Sequence, residues 1–182
     1  MSASINGLCV PSPTLTPTLV ACVASTQTAS VWIGALKGKK LAVKIAEHHA
    51  KPLGDHILHE ARILSKLRGV GGVPQLVWQG DLLGRPSLAY DWIEGINLRM
   101  WPRAQKIKKS TWDAFEAILI SCHREGVVHG DIKAGNCLLS PDEAAYLVDF
   151  GKSRLSSRQG LTHDWHCFDH LKANFDDPDD VS

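Results

Sequence analysis

The chain has 182 residues, enough for one substantial core or for two small lobes sharing a cleft. Twenty Lys and Arg against nineteen Asp and Glu leave a formal charge of +1, which predicts no global attraction to nucleic acid or to an anionic membrane surface. A hydrophobic fraction of 44% argues against wholesale disorder.

Residues 1–17 are rich in Ser, Thr and Pro, show no hydrophobic period and read as a flexible leader. They lack the basic stretch and continuous apolar core of a secretory signal. No run approaches the ~20 apolar residues needed to cross a bilayer, so a soluble protein without a membrane span is expected. The five cysteines, Cys9, Cys22, Cys122, Cys137 and Cys167, are scattered and form no C-x-x-C pair. They suggest neither a zinc site nor a disulfide framework. Cys122 and Cys137 lie in apolar runs and read as small buried hydrophobes, and a reducing, cytoplasmic setting is expected.

Two β-prone segments, 19–25 and 30–36, are followed by a turn at Lys37-Gly38-Lys39 and a third strand over 41–46. Alternation in that strand puts Ala42 and Lys44 on one face and Leu41, Val43 and Ile45 on the other. A helix is predicted over 53–67, with Ile57, Ala61 and Leu64 forming its apolar stripe. Strand character resumes at 73–77 and 87–90, and a hinge-like segment follows at 91–95.

A second helix is predicted over 110–124, burying Trp112, Phe115, Leu119 and Cys122. Short strands at 137–139 and 146–148 bracket a turn at Ser140-Pro141-Asp142-Glu143. A last helix is predicted over 164–175, and the acidic residues 176–182 read as a solvated tail. The order of elements predicts an α+β fold in two parts.

Chemistry concentrates in two places. Val127-Val128-His129-Gly130-Asp131-Ile132-Lys133-Ala134-Gly135-Asn136 sets a His-x-Asp after an apolar pair, with an Asn five residues beyond the Asp. Tyr146-Leu147-Val148-Asp149-Phe150-Gly151 ends a hydrophobic strand on a second Asp. Phosphoryl transfer needs a carboxylate to orient or deprotonate the incoming hydroxyl, and hard oxygen ligands for Mg²⁺. Asp131 suits the first need, Asn136 and Asp149 the second, and Lys133 can reach the transferring phosphate as a point charge.

These segments resemble the H-R-D-x-x-x-x-N and D-F-G motifs of the protein kinase superfamily, and Leu41-Ala42-Val43-Lys44 is similar to its V-A-I-K strand. The resemblance covers roughly residues 18–175. It implies a bilobal kinase-like fold with an N-lobe over 18–90, a hinge at 91–95 and a short, truncated helical C-lobe over 96–175. It also implies ATP and Mg²⁺ as cofactors. Lys44 would bind the α- and β-phosphates, with Glu60 as its partner in preference to Glu47. Val31 and Ala42 would cover the adenine, Tyr90 would be the gatekeeper, the backbones of Asp91 and Ile93 would meet the base, and Leu138 would form its floor.

The sequence departs from the family pattern in three places. Ala24-Ser25-Thr26-Gln27-Thr28-Ala29-Ser30 stands where G-x-G-x-x-G belongs, and hydroxyls of Ser25, Thr26, Thr28 or Ser30 are the expected substitutes. Gly130 replaces the arginine of H-R-D, which argues against control by activation-loop phosphorylation. The stretch after Gly151 lacks A-P-E, while Asp164-Trp165-His166-Cys167-Phe168 resembles the helix that supports the catalytic loop, with Asp164 as anchor. These features are similar to the small atypical kinases: the kinase subunit of the tRNA threonylcarbamoyl-adenosine complex, the RIO kinases and minimal bacterial effector kinases.

The leading expectation is a serine/threonine protein kinase acting on a protein substrate, supported by Lys133. A partner subunit compensating for the short C-lobe is expected, as is delivery into a host cytosol if the protein is an effector. A small-molecule kinase of the aminoglycoside, choline or lipopolysaccharide-core type shares His-Gly-Asp and Gly-Asn, but a chain this short leaves little room for its substrate lobe. A catalytically weak nucleotide-binding pseudokinase or scaffold is the third reading. The histidines His48, His49, His56 and His59, and the trio His163, His166 and His170, fit surface solvation or helix packing better than zinc.

Overall fold

The structure is a computed structural model that describes residues 15–47, 51–102 and 105–176. Most of the expected leader, His48 and His49, Cys9 and the acidic tail beyond Asp176 lie outside the described residues.

The first half is an antiparallel sheet of β1 (Thr18–Ser25), β2 (Ala29–Leu36), β3 (Lys39–Ala46), β4 (Leu76–Leu82) and β5 (Arg85–Asp91), in the order β1-β2-β3-β5-β4. Helix α1 (Lys51–Lys66) crosses between β3 and β4. Two hairpins hold the register. Leu36 pairs with Lys39 across Lys37 and Gly38, whose φ angles are 51° and 78°. Leu82 pairs with Arg85 across Leu83 and Gly84, with φ of 53° and 71°. Two successive positive φ values define the turn whose twist matches that of paired strands.

The strand expected over 73–77 instead begins at Leu76 and runs to Leu82. Pro74 lacks an amide hydrogen, and the preceding bend is closed by Gln75. Its side chain accepts from Gly69 N at 2.8 Å and donates to Val73 O at 2.9 Å. The expected hinge at 91–95 also shifts by one residue, because Asp91 still pairs with Leu41 as the last residue of β5.

The second half is built on α2 (Lys109–Arg124) and α3 (Arg158–Asp176) with short strands between them. In chain order these are β6 (Ile96–Asn97), β7 (Val127–Val128), β8 (Cys137–Leu139), β9 (Ala145–Leu147) and β10 (Arg154–Leu155). They pair as β6-β8-β9 and as β7 with β10. The strand expected at 146–148 lies one residue earlier, and α3 begins at Arg158 rather than at 164.

Three apolar clusters organise the molecule. One face of the sheet buries Ala29, Ala46 and Leu88 against Ile57 and Ala61 of α1. The other face buries Leu41, Val43, Ile45 and Ala89 under Trp32, Leu36 and Trp78. The largest cluster joins Ile63, Leu64 and Leu67 of α1 to Trp112, Phe115 and Leu119 of α2, Phe150, and Phe168 of α3. Helix α1 thus packs on both halves, and both predicted helix stripes point inward. Burial pushes the thiols of Cys122 and Cys137 up to about 12, so both behave as apolar side chains. Among the described residues no helix is long and apolar enough to cross a membrane.

Candidate active site

Sheet alternation fixes what faces the cleft. Val31 pairs with Lys44, and Ala42 with both Ile33 and Tyr90, so these side chains share one face. Lys44 points from that face toward α1, where its Nζ donates to Glu60 Oε2 at 2.7 Å. It also donates to Asp149 Oδ1 at 2.8 Å, bridging two chain segments. Glu47, the competing partner, instead pairs with Arg85 at 3.3 Å.

Burial opposes the charge on Lys44, but the Glu60 and Asp149 carboxylates outweigh it and raise its pKa. Burial also opposes the charge on Asp149, and the Lys44 ammonium holds this carboxyl below its usual range. The Asp131 charge pushes Asp149 the other way, which marks the two carboxylates as electrostatic neighbours. Burial and the Glu60 charge drive the phenol of Tyr90, the β5 partner of Ala42, upward.

The His129–Asn136 loop is held from below by Asp164 of α3. The Asp164 carboxylate accepts from His129 N at 2.7 Å and Gly130 N at 2.8 Å, and contacts His123 Nε2 at 2.9 Å. This is the anchoring role the sequence assigns to Asp164. His129 is fully buried, and Asp131 N donates to its Nδ1 at 3.3 Å. That bond makes Nε2 the protonated nitrogen, which donates to Val148 O at 3.1 Å. Ser153 Oγ donates to His129 O at 2.9 Å, so the two motif segments are tied together, and the pairing of β7 with β10 closes the frame.

Gly130 explains the missing arginine. Its φ is +76°, and a Cβ at this position would stand 2.8 Å from Lys152 O. A side chain here meets backbone that cannot yield. Asp149 also has positive φ, 65°, a conformation that Asp tolerates better than most residues. It directs the carboxylate at Lys44 while Phe150 is fully buried beside the His129 ring, 4.7 Å between centroids.

Asp131 is surrounded by donors. Lys133 Nζ lies 2.6 Å from Oδ2, Asn136 Nδ2 is 2.8 Å from Asp131 O and 3.1 Å from Oδ2, and Lys152 Nζ is 3.0 Å from Oδ1. Partial burial raises its pKa, but the two lysines outweigh that and bring the carboxyl below its usual range. Because the Asn136 amide nitrogen faces Asp131, its carbonyl oxygen is the atom left to face a cation. With Asp149 it offers two hard oxygens of the type Mg²⁺ takes. Among the described residues no three His, Cys, Asp or Glu side chains gather as a metal site.

The expected adenine-facing residues are only partly gathered. Leu138 follows Asn136 by two and is half-buried between buried Cys137 and Leu139, so it faces away from the core beneath it. Asp91 donates its N–H to Gln75 O at 3.1 Å, which commits that donor within the fold. Its carboxylate turns to Lys39 at 2.7 Å. Ile93 lies in the segment that leads to β6.

The hydroxyl-rich loop is bonded largely within itself. Thr26 Oγ1 accepts from Thr28 N at 3.3 Å and Ala29 N at 3.2 Å and contacts Thr28 Oγ1 at 3.2 Å, while Thr26 N donates to Ala29 O at 2.9 Å. Ser30 is buried and its Oγ accepts from Trp32 Nε1 at 3.0 Å. The hydroxyls of Thr26, Thr28 and Ser30 therefore stabilise the hairpin itself, because a tight turn without glycine satisfies its amides with its own side chains.

Sequence reasoning did not single out Lys152 beside Asp131 or His123 against Asp164, and it gave no specific partner to His59 of α1, whose Nε2 meets Ser153 O. Only Lys152 carried a local signal, its place directly after Asp149-Phe150-Gly151. The histidines of α3 find local partners: His163 Nε2 lies 3.6 Å from Cys167 Sγ, and His170 Nδ1 is 3.2 Å from Asn174 Nδ2.

Comparison with known proteins agrees with this geometry. Residues 58–166 match the ABC1 atypical kinase-like domain. The serine/threonine-protein kinase PknH of Mycobacterium bovis is 31% identical over 130 residues, covering 67% of this chain and 22% of that protein. The receptor-like serine/threonine-protein kinase SD1-7 of Arabidopsis thaliana is 26% identical over 135 residues, covering 68% of this chain and 16% of that protein. The serine/threonine-protein kinase PknD of Mycobacterium tuberculosis is 48% identical over 46 residues, 25% of this chain and 7% of that protein. The chain thus spans no more than about a fifth of the length of these relatives. With a family match that runs from α1 through both motif segments to Asp164 and beyond, the chain belongs to the ABC1 atypical kinase-like domain family of the protein kinase superfamily.

Proposed function

We propose that the chain is an ATP- and Mg²⁺-dependent phosphotransferase that phosphorylates serine or threonine hydroxyls of a protein. The observation that carries this reading is the bridge made by Lys44, 2.7 Å from Glu60 and 2.8 Å from Asp149. That bridge spans the two halves and concentrates cation and carboxylates where a triphosphate and its metal would lie. The serine/threonine-protein kinases named among the relatives support a protein acceptor.

Lys44 would hold the α- and β-phosphates, and Asp149 with the Asn136 carbonyl oxygen would hold Mg²⁺. The bound ion would supply charge neutralisation at the phosphate oxygens. Asp131, kept ionised by Lys133 and Lys152, orients the acceptor hydroxyl and takes its proton. The acceptor oxygen bonds to the γ-phosphorus as the bond from that phosphorus to the β,γ-bridging oxygen breaks. ADP leaves, and the proton passes from Asp131 to solvent. The hairpin at 26–29 spends its donors internally, which puts most of the phosphate grip on Lys44 and the metal.

The test is transfer of labelled phosphate from ATP with and without Mg²⁺, comparing the natural chain with Asp149→Ala and Asp131→Ala. Each substitution is expected to lower transfer by about 10²-fold or more while the melting transition stays cooperative. Transfer by Asp149→Ala at the natural rate overturns the assignment.

A further inference from the structure

Lys152 occupies a distinctive place. Oδ2 of Asp131 is committed to Lys133 and Asn136, and the Lys152 ammonium covers the other oxygen, Oδ1. A hydroxyl approaching Asp131 for deprotonation must take the position that this ammonium holds. The stem beneath it is fixed: Phe150 and Ser153 are buried on either side, Ser153 N donates to Phe150 O at 3.1 Å, and Lys152 O packs against Gly130. The head is free to swing, since the side chain is 68% exposed and an ion pair so exposed is held weakly.

The surroundings are cationic. Lys133 is 53% exposed on the other side of Asp131, and Arg154 Nε lies 3.9 Å from where a Gly130 Cβ would stand. Two basic side chains, Lys133 and Lys152, therefore flank a single carboxylate, with Arg154 near the adjoining Gly130, in a chain whose net charge is only +1.

We propose that Lys152 is a specificity-determining residue that favours a hydroxyl carried on an acidic peptide segment. This rests on the phosphotransferase reading and deepens it. An acceptor with a carboxylate beside its hydroxyl gives the displaced ammonium a new partner as the hydroxyl takes its place at Oδ1. An acceptor with lysines there brings more positive charge to a carboxylate already flanked by two ammonium groups. Selection thus comes from attraction and repulsion together.

The test uses three synthetic peptides, each with one serine, flanked by aspartates, by neutral residues or by lysines. Phosphate transfer from ATP with Mg²⁺ is measured for the natural chain, Lys152→Gln and Lys152→Glu. The natural chain is expected to favour the aspartate peptide over the lysine peptide by about tenfold in kcat/KM, chiefly through KM. Lys152→Gln should remove most of that preference and Lys152→Glu should invert it. Transfer that ignores flanking charge, or a preference that Lys152→Glu leaves intact, overturns this inference and spares the phosphotransferase reading. Absence of transfer to any peptide, with ATP turnover equal to that of Asp131→Ala, overturns both. Lys152 is largely exposed, so these variants are expected to fold, and matching melting temperatures check it.

Discussion

Lys44 and Glu60 meet at 2.7 Å with only 2% of the Glu60 side chain exposed. A carboxylate that far from water depends on its cation, because desolvation costs more than any exposed ion pair returns. Lys44→Ala should therefore destabilise the protein by roughly 3 kcal/mol. Replacing both partners, as Lys44→Met with Glu60→Leu, should cost clearly less than the sum of the single changes, because neither charge is left stranded. Urea denaturation of the four proteins measures the coupling. Strict additivity would show that the pair does not act as a unit.

Gly130 should tolerate no side chain. Gly130→Ala forces positive φ on a residue with a Cβ and drives that Cβ toward Lys152 O. A loss of about 1–3 kcal/mol is expected in chemical denaturation. Gly130→Arg, which restores the superfamily's usual residue, should fare worse than alanine, because its bulk enters the same contact.

Acid should unfold the protein in two stages. Burial lowers the His129 pKa from its ordinary 6.5, although Asp164, Asp149 and Asp131 all pull it up. Below about pH 6.5 the unfolded chain takes up a proton that folded His129 resists, so stability falls as pH drops from there through the folded value. For Asp164 burial works against the charge, but His123 and the amides of Gly130 and His129 set its pKa below 3.8. Its contribution is present above pH 3.8 and is lost as pH falls through the lower folded value. Melting temperatures across this range should show both declines, and His129→Gln should flatten the first without removing the second.

One turn can be improved. Leu83 has φ of 53° and is 74% exposed, so it bears backbone strain without burying its side chain. Leu83→Asn makes an Asn-Gly pair, which this hairpin geometry favours. A gain of about 0.5–1 kcal/mol is expected in thermal or urea unfolding. No gain would show that the turn is held by its flanking strands alone.

Several features were legible in the chain itself because their causes are local. The stripes of Ile57, Ala61 and Leu64, and of Trp112, Phe115, Leu119 and Cys122, follow from helical period, and all are buried. Alternation placed Ala42 and Lys44 together, and the resemblance to the kinase motifs pointed to Glu60 as the partner of Lys44. Boundaries were less legible. Pro74 and the Gln75 side chain delay β4, and the two-residue pairings of β6 with β8 and β7 with β10 are too short to leave a period.

Residue types and spacing therefore determined the superfamily, the strand and helix order, and the identities of Lys44, Glu60, Asp131, Asn136 and Asp149 as site candidates. Tertiary structure alone decided that Lys44 bridges to Asp149 across 105 positions of chain. It also decided that the Thr26 hydroxyl is spent inside its own hairpin and that Lys152 covers Asp131 Oδ1. Local periodicity records which way a side chain faces, but contacts between distant segments depend on how whole elements pack, and no short stretch of sequence carries that information.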